Sequence, residues 1–115
     1  MRVKLAIAGI LFIGLVGCNT MVGPTANDIP ASIASATTPG DHQKIAEYFA
    51  QKAVEYDAEA AQHDQMARAY TNRPKGEFGA MISHCRNLRD QFVSAAKTAR
   101  TMAQEHRLMA AKGGH

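Results

Sequence analysis

Hydrophobic positions between residues 39 and 71 follow a seven-residue repeat. An aromatic or imidazole side chain stands at each seventh position, and an alanine lies between each neighbouring pair. The full series is His42, Ala46, Phe49, Ala53, Tyr56, Ala60, His63, Ala67 and Tyr70. Alternating spacings of four and three are typical of a helix that packs lengthwise against another helix. We therefore predict a long helix over Pro39–Thr71, capped by Thr38 and with Pro39 in its first turn.

A second helix with the same spacing is predicted over residues 77–111. Pro74 and Gly76 lie between the two patterns and indicate a short turn. The predicted contact positions are Met81, Cys85, Leu88, Phe92, Ala95, Ala99, Met102, His106 and Met109. Because a short turn makes the two helices antiparallel neighbours, the predicted fold class is all-α, an antiparallel two-helix hairpin of coiled-coil type. The hairpin occupies residues 39–112, and residues 113–115 are predicted to be a disordered tail.

The two repeats can be paired across the hairpin by matching residues whose numbers sum to about 148. This register places Tyr70 by Phe78, Tyr56 by Phe92, His63 by Cys85 and His42 by His106. A hairpin of this size buries little apolar area and often needs a metal or a second chain. Apolar residues also lie outside the repeat, namely Ile45, Val54, Ile82 and Val93. Dimerisation into a four-helix bundle would cover them.

The beginning of the chain has the features of an export signal. Arg2 and Lys4 precede a continuous apolar run over residues 5–16. As a helix this run would reach roughly 18 Å, less than the ~30 Å hydrocarbon core of a bilayer. It is therefore predicted to be a signal peptide, residues 1–17, and not a membrane span.

The run ends in Leu15-Val16-Gly17-Cys18, which resembles the lipobox of bacterial lipoproteins. The resemblance implies a diacylglycerol group on the Cys18 thiol, cleavage before Cys18 and acylation of the new amino terminus. Asn19 follows the cysteine where an Asp would favour inner-membrane retention. The resemblance therefore implies a lipid anchor in the outer membrane, facing the periplasm, and it identifies no envelope protein as a partner.

Residues 18–38 are predicted to be the lipidated cysteine and a flexible tether. The tether is rich in Ser, Thr, Ala, Gly and Pro, has no helical period and is interrupted by Pro24 and Pro30. Loss of Arg2 and Lys4 with the signal lowers the 13 basic residues to 11, against 10 acidic ones. A net charge near +1 without a basic patch argues against nucleic-acid binding.

The candidate chemistry lies in the His, Cys and Met residues of the two helices. A first cluster is predicted near the turn and contains His63, Cys85, Met66, Met81 and His84. A second, at the far end, contains His42, His106, Met102 and Met109. Such side chains suit Cu(I), and a His/Cys set also suits Zn(II). The other interpretation is that they only fill core space. Cys85 has three open fates: a buried free thiol, an intermolecular disulfide, or a metal ligand.

No dedicated catalytic motif or phosphate-binding loop is present in the sequence, so we expect no enzymatic activity. Met81-Ile82-Ser83-His84-Cys85 is similar to a run found in uncharacterised small exported helical proteins of bacteria. The sequence thus predicts a lipid-anchored envelope protein that presents a helical hairpin as a binding or structural module. The alternative is a copper- or zinc-binding protein that uses the same hairpin.

Overall fold

The protein is all-helical in the part that the computed structural model describes, residues 28–113. The helices are α1 (Ile29–Ser35), α2 (Pro39–Thr71) and α3 (Gly79–Ala111), which confirms the predicted all-α class. None of the three is long and apolar enough to cross a membrane. The predictions for the signal peptide, for Cys18 and for the last two residues of the tail lie outside the described residues.

Helix α1 lies inside the segment predicted to be a flexible tether, so this part of the prediction needs correction. Pro30 was interpreted as an interruption, but it stands in the first turn of α1, where a missing backbone N–H is tolerated. The hydroxyls of Ser32 and Ser35 donate to the carbonyls of Asp28 and Ala31, respectively. Ile29 is buried, and α1 packs on α2. Helical structure therefore begins before the hairpin.

Helix α2 begins at the predicted residue because its first turn carries a capping box. The Thr38 hydroxyl accepts from the Asp41 backbone N–H at 3.2 Å, and the Asp41 carboxylate accepts from the Thr38 N–H at 3.0 Å. Hydrogen bonds from Thr38, and then from Thr37, lower the pKa of Asp41. Two backbone donors are thereby satisfied at the end of α2 where negative charge is favoured.

Helix α3 begins at Gly79, two residues later than predicted. The turn places Gly76 at φ +120°, and a Cβ there would lie 2.5 Å from the Phe78 ring. That ring packs on Tyr70 with centroids 5.7 Å apart. The Arg73 guanidinium also lies over the Phe78 ring, 4.5 Å from the centroid. Phe78 therefore packs against residues of the turn and is the N-cap residue of α3.

The long helices pack against each other along their length in antiparallel order. Tyr70 contacts Phe78, Tyr56 contacts Phe92 and His42 contacts His106, with ring centroids 5.7, 6.1 and 5.3 Å apart. These three pairs confirm the register predicted from the sequence. Every predicted contact position of α2 is buried or half-buried, so the α2 repeat is also confirmed.

The contact face of α3 is rotated by one position from the predicted one. One predicted column is correct: Cys85, Phe92, Ala99 and His106 are buried or half-buried. The other is correct only in part, because Ala95 and Met102 are half-buried, whereas Met81, Leu88 and Met109 are 48%, 40% and 37% exposed. A neighbouring column completes the contact, and it consists of Ile82, Arg89, Ala96, Ala103 and Ala110. Ala96 and Ala103 are 0% and 1% exposed, so small residues bring the helices together.

Ion pairs on one side of the hairpin accompany this rotation. Arg89 reaches across to Asp64 at 3.1 Å, and Arg100 pairs with Asp57. Arg68, one turn after Asp64 on α2, donates to the same carboxylate at 2.8 Å. The two arginines of α3 can reach these carboxylates when α3 turns its alanine column towards α2. One side of the hairpin is therefore charged.

Candidate functional site

The predicted turn-end cluster places its members in different environments. His63 is half-buried and stacks on Phe92, with ring centroids 5.5 Å apart and planes within 9°. Phe92 thus lies between His63 and Tyr56 and contacts both rings. Cys85 is a half-buried free thiol. Among the other predicted members, Met66 is half-buried, while Met81 and His84 are exposed.

The described residues of the turn-end cluster do not bring three zinc ligands together. Within residues 28–113, no three His, Cys, Asp or Glu residues come together in a way that could hold a metal ion. Protein zinc sites use three or four such ligands. The Nδ1 atom of His63 is buried and has no hydrogen-bond partner. An unpaired polar atom of this kind costs about 1–3 kcal/mol, so His63 contributes by ring stacking more than by hydrogen bonding.

The cluster at the far end is brought together more closely. The Nδ1 atoms of His42 and His106 are 3.0 Å apart, and the two ring planes are tilted by 32°. His42 is only 7% exposed. Phe49 stacks on His106, with centroids 6.1 Å apart and planes within 20°. Met102 lies one turn before His106 on α3 and is half-buried.

The electrostatics at His106 favour the neutral imidazole. Burial lowers the pKa of His106, and the neighbouring His42 lowers it further, while Glu105 raises it by a smaller amount. When both rings are neutral, one Nδ1 donates to the other, which satisfies the short contact. With both rings protonated, two N–H groups would point at each other. The pair therefore holds at most one added proton in this geometry.

A third feature, which the sequence did not indicate, is a groove between α2 and α3. The α2 wall contains Tyr48, Phe49, Lys52 and Tyr56, and the α3 wall includes Ala95, Ala99 and Met102. The groove has a volume of about 440 Å³. Tyr48 and Lys52 are one turn apart, with the ammonium 5.8 Å from the ring centroid. The i, i+4 spacing of Tyr48 and Lys52 is the sequence feature that could have indicated this groove.

The predicted α3 column that is only partly buried continues this groove along the helix. We call it the α3 stripe, and it consists of Met81, Leu88, Ala95, Met102 and Met109. Its members recur at every seventh residue, and from first to last it extends about 42 Å at 1.5 Å per residue. Ala95 and Met102 are half-buried, and the other three are exposed. The exposed members of the stripe thus form an apolar, regularly spaced surface outside the hairpin contact, while Ala95 and Met102 line the groove between the helices.

Comparison with known proteins gives no further guide. Scans against protein-family models, curated proteins and solved structures each found no match.

Proposed function

We propose that this chain is a lipid-anchored envelope protein whose coiled-coil-like hairpin associates with a second copy through the α3 stripe. The product would be a four-helix bundle tethered to the outer membrane on its periplasmic side. It would act as a structural or binding module without catalytic activity. The observation that carries the proposal is the exposure of Met81, Leu88 and Met109 on one regularly spaced column.

The anchor rests on the sequence alone. The lipobox-like Leu15-Val16-Gly17-Cys18 follows an apolar run that is too short to span a bilayer. Acyl chains on Cys18 would hold the protein at the membrane, since each buried methylene contributes about 0.8 kcal/mol. The segment between Cys18 and α1, residues 19–28, is ten residues long, and fully extended it would reach roughly 35 Å.

The composition of the hairpin core supports association. The buried apolar side chains are alanines apart from Ile29 and Ile45, and only Ile45 is a large side chain with no exposure. Burial of a methyl group contributes much less than burial of Leu or Phe. An alanine contact brings the helices close but leaves a single hairpin with little hydrophobic stabilisation. A second hairpin would add the larger side chains that the first contact leaves exposed.

The spacing of the stripe supports a helical partner, and a second copy meets that need most simply. Helices pack lengthwise when large side chains recur every seven residues on each of them. The stripe carries three methionines and one leucine at this spacing. Beside it, the groove between Tyr48, Tyr56 and Ala95 offers space for large side chains. In a symmetric dimer each hairpin supplies both the stripe and the groove.

The test compares two substitutions on the same helix. Leu88→Glu places a charge on the stripe, whereas Val93→Glu places one on the outer face of α3, where Val93 is 53% exposed. Both variants are made in the chain from residue 18 onward with Cys18→Ser, and dimer dissociation is measured by analytical ultracentrifugation. We expect Leu88→Glu to weaken the dimer at least tenfold and Val93→Glu to leave it nearly unchanged.

Two results would contradict the proposal. The first is a wild-type chain that remains monomeric at high concentration. The second is an equal loss of dimer in both variants, which would mean that the contact does not use the stripe. Circular dichroism at 222 nm checks that each variant stays helical.

A further inference from the structure

We propose that His42, His106 and Met102 together bind one Cu(I) ion at the end of the hairpin remote from the turn. This site is separate from the α3 stripe contact except at Met102, and it does not depend on dimerisation. It also differs from the turn-end cluster, which contains Cys85. Its basis is the convergence of two imidazoles from different helices, with a thioether one turn away on α3.

The two imidazoles are already close to the separation that a shared metal ion requires. Their Nδ1 atoms lie 3.0 Å apart. Two nitrogens that each lie 2.0–2.1 Å from one ion are about 3.3–3.6 Å apart at bond angles between tetrahedral and trigonal. The rings need to separate by only a few tenths of an ångström. Rotation of the two side chains within their own rotamer wells can supply that change.

Metal binding at this pair has a simple proton balance. In the neutral pair one Nδ1 carries a proton and the other accepts it. Coordination needs the lone pair of both Nδ1 atoms, so the shared proton moves to Nε2 of the same ring. No proton is released, and no redox step takes place because copper enters as Cu(I). The hydrogen bond between His42 and His106 is replaced by two metal–nitrogen bonds.

The third ligand selects the metal. Met102 precedes His106 by four residues, so both project from the same face of α3. A thioether is a soft ligand that favours Cu(I), and imidazole also suits copper. Zinc would need further His, Cys, Asp or Glu ligands. Within residues 28–113 no third residue of those types joins the pair. The available set therefore suits Cu(I) and is incomplete for Zn(II).

The surroundings hold the pair ready for a metal. His42 lies in the first turn of α2, directly after the capping box of Thr38 and Asp41, so its backbone position is fixed. Phe49 covers one side of the His106 ring.

The experiment is an anaerobic Cu(I) titration against a chromogenic Cu(I) chelator, with ascorbate as reductant. The protein is the chain from residue 18 onward with Cys18→Ser. The test variants are His106→Phe, which preserves an aromatic ring against Phe49, and Met102→Leu, which preserves the packing volume. The matched controls are Cys85→Ser and Met66→Leu, which remove a thiol and a thioether elsewhere on the hairpin.

The expected result is one Cu(I) per chain. His106→Phe should weaken the affinity at least a hundredfold and Met102→Leu about tenfold, and the controls should match the parent. X-ray absorption at the copper edge should show two nitrogen scatterers and one sulfur. Complete retention of copper by the chelator would overturn the proposal. So would loss of binding in Cys85→Ser, or tighter binding of Zn(II) in parallel titrations.

Discussion

Replacement of Phe92 tests the arrangement of the hairpin contact most directly. Its ring lies between Tyr56 and His63, at centroid distances of 6.1 and 5.5 Å. Truncation of a buried Phe to Ala costs about 3–5 kcal/mol. Phe92 retains some exposure, so a value near 3 kcal/mol is the better starting point. Alanine also forms helix more readily by roughly 0.5 kcal/mol. Phe92→Ala should therefore lower the free energy of unfolding by about 2.5 kcal/mol.

The matched control is the neighbouring residue. Val93 faces outward on the same turn of α3 and is 53% exposed. Its truncation to Ala loses about 0.8 kcal/mol per buried methylene over two half-exposed methyls. A gain of similar size in helix propensity offsets this loss. Val93→Ala should leave stability nearly unchanged.

Thermal unfolding followed by circular dichroism at 222 nm measures both variants. A loss of about 2.5 kcal/mol in a domain of this size lowers Tm by roughly 10–20 °C. Protein concentration must be matched, because association shifts Tm by mass action. Similar melting temperatures for Phe92→Ala and Val93→Ala would refute the arrangement of α3, since one ring would then contribute no more than an exposed valine.

Two further predictions concern protonation and the anchor. Burial, and after it the neighbouring His42, lowers the folded-state pKa of His106 below its ordinary 6.5. The unfolded chain therefore binds a proton at higher pH than the folded one. The free energy of unfolding should be greatest above pH 6.5 and should fall as the pH drops towards the folded-state pKa. Urea unfolding between pH 7.5 and 5 should show this slope in wild type, and a slope that persists in His106→Phe would exclude His106 as its source. Cys18→Ser should abolish labelling with radioactive fatty acid in cells, and persistent labelling would exclude Cys18 as the lipidated residue.

The features that the sequence predicted well are the local ones. The start of α2 depends on Thr38 and Asp41, three residues apart, and their hydrogen bonds form within a single turn. The α2 repeat was also readable, because large and small side chains alternate along one face. The short helix α1 was missed because Pro30 was interpreted as a break. Proline stops a helix in its interior but is compatible with its first turn.

The sequence predicted the far-end histidine pair correctly but not the surroundings of the turn-end cluster. The pairing of His42 with His106 follows from the register of the hairpin, which the seven-residue repeat determines within one heptad. The turn-end cluster required, in addition, the correct rotation of α3. The rotation of a helix depends on the partner that covers each side. The spacing within α3 alone could not distinguish two adjacent columns that are both apolar.

The predicted α3 contact combined two seven-residue columns, of which the hairpin buries one more fully than the other. The sequence pattern combined Leu88 and Met109 with Phe92, although the hairpin uses only the last of these. Ala96 and Ala103 fill the hairpin contact instead, because small side chains allow close approach and let Arg89 reach Asp64. A helix with only one apolar contact would gain nothing from large apolar residues at seven-residue spacing beside it. Two overlapping repeats on α3 therefore argue for two helical contacts, one within the chain and one with a partner.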